Sequence, residues 1–255
     1  MVFRLSPKRK PVTGYIYVPG GTADPRFLKA SEGDEIRNPT REAPYIVVSH
    51  STDDVLVTDW PGTLWRAEVV DALKPQGHTG DYTRAVAVRL IERVPTHTLF
   101  GSHGEGVAWV ADRARDLTRE EAALLAEARA PQAGQLYSKA WLNWDNLAAD
   151  KRDYTEWEGI IGVGSEAPVS PVRRGLSAVF NCICARALET DGDDAWYTGD
   201  GPEEDPDMHL AEPWATASLA LIEAAMALGA PDLLPVEDRA VLTAPWHRLT
   251  GPSLS

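Results

Sequence analysis

The sequence has no long hydrophobic run and very few cysteines. In its 255 residues no apolar segment approaches the ~20 residues that a membrane-spanning helix requires, so an integral membrane protein is not expected. The basic start, residues 1–12, is not followed by the apolar core of a secretory signal and is predicted to be a mobile tail. Cys182 and Cys184 lie one residue apart on a predicted helix, where their side chains point apart and do not pair. Free thiols are typical of a reducing compartment, and we predict a cytoplasmic protein.

Positive charge is scarce in the second half of the chain. Through Thr118, 15 lysines and arginines balance 15 acidic residues, whereas from Arg119 onward 10 basic residues face 23 acidic ones, and the net charge is −13. Such a charge repels phosphates, so nucleic-acid binding by the second half is not expected, although the neutral first half has room for a local basic patch. The sequence also has no basic amphipathic helix of the kind that binds membrane surfaces. The acidic excess instead favours a basic protein as partner.

The hydrophobic pattern changes near residue 100. Before it, short β-branched and aromatic runs alternate with turn residues, which is typical of strands in a sheet. The predicted strands are Thr13–Val18, Tyr45–Val48, Val55–Val57, Leu64–Val70 and Ala85–Ile91, while Ile36–Thr40 is predicted to be a polar loop. From Gly104 onward the period shifts toward 3.6. We predict an α+β protein, with a small antiparallel-rich sheet domain at residues 13–100 and an acidic, tryptophan-rich, all-α helical bundle domain at residues 101–255.

Capping signals mark several helices in the second part. Thr118 and Glu121 have the spacing of a capping box, and Pro171 suits the first turn of a long helix. The last helix is predicted to end at Pro245, because proline cannot donate a backbone hydrogen bond. Between these helices, Thr190–Asp207 carries eight acidic residues and is predicted to be a mobile polar loop.

No metal site is predicted. None of the six histidines forms the helical pair of a zinc hydrolase, and the two cysteines have no second pair. His97, His103 and Glu105 are close in sequence and are either a ligand set or a polar connector. The acidic Thr190–Asp207 segment is either a cation-binding loop or a solvated one, and it lacks the EF-hand spacing.

Two further segments have a catalytic and a structural interpretation. Gly159–Ser165 loosely resembles a phosphate-binding loop, but no Lys-Ser/Thr follows it, and a connector between helices is the alternative. Cys182 or Cys184 is either a thiol nucleophile or, as is more common for a helical cysteine, a packing residue.

A polar run follows the predicted strand that ends near His50. Ends of strands commonly carry binding and catalytic groups, so His50 and Asp53 are candidate site residues. Ser51 or Thr52 is alternatively the N-cap of a helix that begins there.

The order and spacing of residues in about the first 95 positions resemble a known family. The pattern consists of Tyr15-Ile16-Tyr17, the stretch from Phe27 to Ile36, the stretch from Tyr45 to Asp53, the stretch from Leu64 to Val70, and Thr83-Arg84. It is similar to the small bacterial ADP-ribosyltransferases of the rifampin-modifying type, and to an uncharacterised domain of actinobacterial and phage proteins. The resemblance implies an ADP-ribosyltransferase-like scaffold for the sheet domain, with NAD as its cofactor if the activity is present.

The resemblance also implies roles for individual residues. The cofactor-binding set is Tyr15, Tyr17, Arg66 and Arg84, in which a tyrosine stacks on a ring and an arginine meets the pyrophosphate. The candidate catalytic set is Tyr45, Glu68, His50 and Asp53. An acid such as Glu68 or Asp53 orients or activates the acceptor, and His50 is included because of its place at the end of a strand.

The sequence departs from the family at two positions. Val18 follows Tyr17 where the family has a histidine that holds the nicotinamide ribose. The family's second-strand tyrosine falls on Val47, and Tyr45, two residues earlier on the same face of a strand, is its substitute.

Because that histidine is missing, we predict a binding or interaction protein on a degenerate transferase-like scaffold, without a bound cofactor. Its acidic helical domain would contact a basic protein partner. The alternative is an active NAD-dependent ADP-ribosyltransferase, or another nucleotide-using enzyme, with its cleft between the two domains. A third hypothesis is a small-molecule enzyme whose pocket is built by Tyr137, Trp141, Trp144 and Trp157.

Overall fold

The chain forms two compact units, which we describe separately. The computed structural model describes residues 11–21, 24–74, 80–149, 171–199 and 208–251. The barrel unit comprises the chain up to Leu56 together with Pro61–Thr96, and the helical unit comprises Val57–Trp60 and the chain from His97. The basic start, Trp157, the Gly159–Ser165 loop and most of the acidic residues predicted in the Thr190–Asp207 loop lie outside the described residues.

Five antiparallel strands form the barrel unit. They are β1 (Thr13–Pro19), β2 (Glu35–Arg37), β3 (Ile46–Ser49), β4 (Gly62–Ala72) and β5 (Tyr82–Val94). Their order in the sheet is β2-β5-β3-β1-β4, and β4 also pairs with β5, so the sheet closes on itself. The predicted combination of a small antiparallel sheet with a helical part is confirmed.

Alternation along the strands separates a core from an outer surface. In β1, Ile16 and Val18 are buried while Tyr15 and Tyr17 are partly exposed, as expected for side chains with a period of two. The buried core of the barrel unit consists of Ile16, Val18, Phe27, Ile36, Ile46, Val48, Trp65, Ala67, Ala85, Val88 and Leu90. Residues at the intervening positions therefore form the outer surface.

Six α-helices are described in the helical unit. They are α1 (Gly104–Arg115), α2 (Arg119–Ala128), α3 (Ala133–Ala149), α4 (Pro171–Asp191), α5 (Trp214–Gly229) and α6 (Val236–Thr250). The predicted capping box is confirmed: the backbone N–H of Glu121 donates to Thr118 Oγ1 at 3.2 Å, and the backbone N–H of Thr118 donates to Glu121 Oε2 at 2.9 Å. In the described part of the chain, no helix combines the length and apolar character needed to cross a bilayer.

Two predictions for the first part are wrong. Val55–Val57 is not a strand, although Val55 and Val57 are buried and Leu56 is exposed. Buried and exposed side chains alternate as they would in a strand. However, a strand also needs a neighbouring strand for its backbone hydrogen bonds, and the local sequence cannot provide one. Conversely, the short strand β2 (Glu35–Arg37) overlaps the start of Ile36–Thr40, which is predicted as a loop. The strand forms because Ile36 inserts into the barrel core and β5 provides the pairing partner.

Two predictions for the second part are also wrong. Helix α6 continues through Pro245 to Thr250, since Pro245 removes one hydrogen bond while Leu242 and Trp246 on the same helix are buried and hold it in place. The predicted Thr190–Asp207 loop begins instead with the end of α4, a 3-10 turn and the strand β6 (Trp196–Thr198). That strand pairs with β7 (Met208–Leu210) to form a hairpin.

Candidate functional site

All eight predicted site residues lie in the barrel unit, on or beside its strands. They are Tyr15, Tyr17, Tyr45, His50, Asp53, Arg66, Glu68 and Arg84. Strand register brings some of them together. Tyr15 on β1 lies opposite Arg66 on β4 and opposite Ser49 on β3, and directly opposed residues of antiparallel strands share one face. Tyr15 and Arg66 are therefore neighbours, as a common cofactor site would require.

Arg66 and Glu68 on this outer face each have an ionic partner. Arg66 contacts Glu92 at 3.0 Å, and Arg89 contacts Glu68 at 3.5 Å. Both pairs are solvent-exposed, so each contributes at most about 1 kcal/mol and can exchange for a better ligand. As they stand, neither Arg66 nor Glu68 presents an uncompensated charge.

The Tyr17 ring is fixed against the neighbouring strand. A Cβ at Gly62 would lie only 2.4 Å from the ring atoms of Tyr17. The glycine thus allows the ring to lie directly against the backbone of β4. One side of the ring is closed by this contact, which limits stacking to the other side.

His50 has a structural role in the turn region after β3. Its Nδ1 lies 2.7 Å from the carbonyl oxygen of Gly80, and its Nε2 lies 2.9 Å from Thr83 Oγ1. A carbonyl can only accept, so Nδ1 donates to it, while the threonine hydroxyl can act as donor or acceptor toward Nε2. Both nitrogens of this ring are therefore used in joining β3 to the start of β5.

The segment after His50 is a turn and not the start of a helix. The backbone N–H of Ser51 donates to Asp54 Oδ2 at 3.0 Å, and the N–H of Asp53 donates to Ser51 Oγ at 3.0 Å. Such local side-chain bonds satisfy the backbone in place of a helix. Asp53 lies in this turn and does not line the pocket described next.

Tyr45 and Arg84 meet in a surface pocket of about 420 Å³, which we call the basic pocket. Its lining residues are Arg41, Tyr45, Leu73, Lys74 and Arg84. Arg84 lies opposite Val47 in the β3–β5 pairing, and Tyr45 directly precedes β3. One predicted catalytic residue and one predicted cofactor-binding residue are thus brought together.

Three cations line the basic pocket, and no carboxylate of the described residues does. Arg41 Nη1 donates to Asp71 Oδ2 at 2.8 Å, and Arg37 also approaches that carboxylate, at 3.7 Å. The Arg84 guanidinium donates to the hydroxyl of Tyr82 at 3.3 Å and lies over its ring at 5.8 Å. Among the residues that the structure describes, Lys74 has no ion pair.

Sequence reasoning identified neither Arg41 nor Lys74 as a site residue. Arg41 lies in a polar loop, and Lys74 follows the end of β4, immediately before Pro75. A lone basic residue in either context is ordinarily solvated. In the sequence, the only indication is that Arg41 precedes one strand and Lys74 follows another. That these two strand ends lie at the same edge of the barrel becomes known only from the register of the strands.

The comparisons with known proteins add no relative. No family model, no curated protein and no solved structure matches this chain. The resemblance to ADP-ribosyltransferases therefore remains a prediction.

Metal ligands do not gather in the part of the chain that the structure describes. There, no group of three or more histidine, cysteine or acidic side chains is arranged to hold an ion. His97 lies in the 3-10 turn Thr96–Phe100, and His103 occupies the position before α1.

Aromatic residues of α3 form a ladder along the helix. Tyr137 and Trp141 pack edge to face with their ring centroids 6.2 Å apart, and Trp141 and Trp144 do so at 5.7 Å. This brings together three of the four residues of the third hypothesis. Packing of these rings on one another stabilises the surface of the helix, and this explains their spacing without a ligand.

The two thiols are protonated at neutral pH. Burial raises the pKa of Cys182 to about 12 and that of Cys184 to about 11, against an ordinary value of 9.0. A nucleophilic cysteine requires the opposite shift, since the thiolate is the reactive form. This environment supports the packing interpretation of both residues.

The same burial predicts a loss of stability at alkaline pH. Above about pH 9 the unfolded chain releases thiol protons that the folded chain keeps, so the free energy of unfolding falls as the pH rises toward the folded-state values. We expect urea unfolding of the wild type to show a steeper decline between about pH 9 and pH 11 than that of C182A/C184A. Equal declines in the two proteins would contradict the assignment.

Proposed function

We propose that the chain is a non-catalytic interaction protein whose helical unit binds a basic protein partner. The observation that carries this proposal is a set of exposed carboxylates collected at one end of the helical unit, which we call the acidic end. It consists of Asp116, Glu120, Glu189, Asp193, Asp194 and Glu212, all of them exposed.

Three contacts bring these residues together from distant parts of the sequence. Arg119 on α2 forms an ion pair with Asp191 at the end of α4. The same guanidinium donates to the carbonyl oxygen of Glu212 at 3.5 Å, before α5. Arg186 Nε on α4 donates to the carbonyl oxygen of Leu117 at 2.8 Å. The ends of α1 and α2, the end of α4 and the start of α5 are thereby held at one place.

The charge of this surface is not neutralised internally. Within the described residues, Asp116, Glu120, Asp193 and Asp194 have no ion pair. The arginines at the same end, such as Arg119, are outnumbered by the carboxylates and are partly engaged with them. A concentrated field of this kind steers a basic partner toward the surface and orients it.

The hairpin of β6 and β7 gives the acidic end an apolar contact point. Tyr197 and Met208 are 55% and 57% exposed, and the Tyr197 ring packs on His209 with their centroids 5.5 Å apart. The hairpin follows Asp193 and Asp194 directly in the chain. Exposed apolar groups within a charged surround are a common composition for a protein–protein interface.

Several features of the barrel unit support the absence of catalysis. Both ring nitrogens of His50 are used in hydrogen bonds, and Glu68 and Arg66 are engaged by Arg89 and Glu92. The proposal includes an ADP-ribosyltransferase-like origin for this unit, supported by the order and spacing of its tyrosines and arginines. It also includes a cytoplasmic location, supported by the two free cysteines.

The test uses two triple variants that remove the same charge. E120Q/D193N/D194N removes three of the six carboxylates of the acidic end. E105Q/D232N/E237Q neutralises three exposed carboxylates at the other end of α5, a helix about 24 Å long. Glu105 belongs to that end because its neighbour Gly106 lies against Leu228.

Binding of a lysine- and arginine-rich peptide to the full chain is measured at low and high salt. We expect the acidic-end variant to lose about tenfold in affinity and the control variant less than about twofold, with wild-type binding weakened by salt. Equal losses in both variants, or binding that survives high salt, would contradict the proposal. Incubation with labelled NAD⁺ tests the enzyme alternative, because hydrolysis or transfer would show that the chain is catalytic.

A further inference from the structure

We propose that the basic pocket of the barrel unit binds a phosphate-bearing ring compound, of the class of nucleoside phosphates. This site is separate from the acidic end and does not depend on the proposed function. Three cations converge in this pocket, two of them have no carboxylate partner among the described residues, and a tyrosine forms part of the wall.

The backbone holds the cations of the basic pocket in place. The N–H of Leu73 donates to the carbonyl oxygen of Arg84 at 2.9 Å, which extends the β4–β5 pairing to the pocket. Arg41 Nη2 donates to the carbonyl oxygen of Ala72 at 3.4 Å, one residue earlier on the same segment. Arg41, Lys74 and Arg84 therefore converge from three segments of chain at one edge of the barrel. Convergent cations on a rigid frame are suited to binding an anion.

Two of the three charges are uncompensated. Arg84 is held by the neutral hydroxyl and ring of Tyr82, and in the described residues Lys74 faces no carboxylate. Asp71 is the carboxylate behind Arg41, and it is shared with Arg37. The pocket thus offers about two net positive charges, which matches a phosphomonoester or diphosphate better than a single carboxylate.

The walls and size of the pocket indicate a ring beside the phosphate. Tyr45 supplies an aromatic face and Leu73 an apolar surface. A volume of about 420 Å³ lies in the usual range for small-molecule sites. An arginine and a tyrosine together commonly bind a phosphate and the ring attached to it.

The overall charge of the protein makes such binding a specific event. A net charge of −13 repels anions at long range. Affinity for a phosphate compound therefore has to come from a local arrangement of cations.

The experiment measures binding of ADP, pyrophosphate and adenosine to the full chain by titration calorimetry. The test variant is K74Q/R84Q. The matched control is K29Q/R93Q, which removes the same two residue types from the barrel unit. Arg93 lies nine residues along β5 from Arg84, about 30 Å in an extended strand. Lys29 follows Leu28, which lines a different pocket with Trp65.

We expect wild type and control to bind ADP and pyrophosphate, and K74Q/R84Q to bind both at least about tenfold more weakly. Adenosine is expected to bind weakly to every protein because it has no phosphate. Y45A should weaken ADP binding more than pyrophosphate binding, and Y45F should restore it. Absence of ADP binding by the wild type, or equal loss in test and control variants, would overturn the proposal. Equal effects of Y45A on both ligands would overturn the assignment of the ring.

Discussion

Replacing Arg129 with methionine is expected to lower the free energy of unfolding by about 3–5 kcal/mol. Arg129 Nε donates to Glu223 Oε2 at 2.9 Å and Nη2 donates to Oε1 at 2.5 Å, so the two side chains form a bidentate pair. The Glu223 side chain is only 3% exposed. The hydrogen bond from Arg129 to the Glu223 side chain raises the pKa of Arg129, although partial burial of the arginine acts in the opposite direction. Without the arginine, the Glu223 carboxylate is left buried and uncompensated.

Two further variants separate this effect from a general loss of contacts. R248M removes an arginine from the exposed Arg248–Glu127 pair, and we expect it to cost less than about 1 kcal/mol. R129M/E223M removes both charges and is expected to recover most of the lost stability, because no buried charge remains. The measurement is urea unfolding followed by circular dichroism. A double variant as unstable as R129M alone would show that packing, and not the unpaired carboxylate, causes the loss.

Trp214→Ala is the second substitution with a large expected effect, about 3–5 kcal/mol of unfolding free energy. The Trp214 side chain is fully buried at the start of α5. Its indole Nε1 donates to Asp191 Oδ2 at 2.7 Å, at the carboxylate that also receives Arg119. The substitution therefore leaves a cavity and removes a hydrogen bond from a charged acceptor.

Trp214→Phe distinguishes the hydrogen bond from the cavity. It keeps most of the ring volume and removes the donor, so we expect it to cost about 1–3 kcal/mol. Tyr197→Ala removes an aromatic residue that is 55% exposed and should change stability by less than about 1 kcal/mol. Thermal unfolding of the three proteins checks the order. A loss in Trp214→Ala no greater than in Tyr197→Ala would contradict the role assigned to the buried indole.

Part of the basic pocket could be predicted from the sequence. Tyr45 and Arg84 were predicted separately, each as a site residue near a strand. That they share a pocket follows from the β3–β5 register, which places Arg84 opposite Val47. Arg41 and Lys74 could not be predicted, because their positions depend on where the chain before β3 and after β4 returns to the barrel. The acidic excess of the second half was evident, but its concentration at one end depends on contacts between α2, α4 and α5.

Local chemistry in the sequence was sufficient to determine the class of fold and several boundaries. The Thr118–Glu121 capping box is an interaction within a few residues, so it depends on local chemistry alone. The alternation of Ile16 and Val18 with tyrosines determines which side chains of β1 face the core once β3 and β4 provide its pairing partners. The tertiary structure alone decided three further features: closure of the barrel by β5, the strand β2, and the continuation of α6 through Pro245. Each of these depends on a partner far away in sequence, whose contribution outweighs the local preference of the segment.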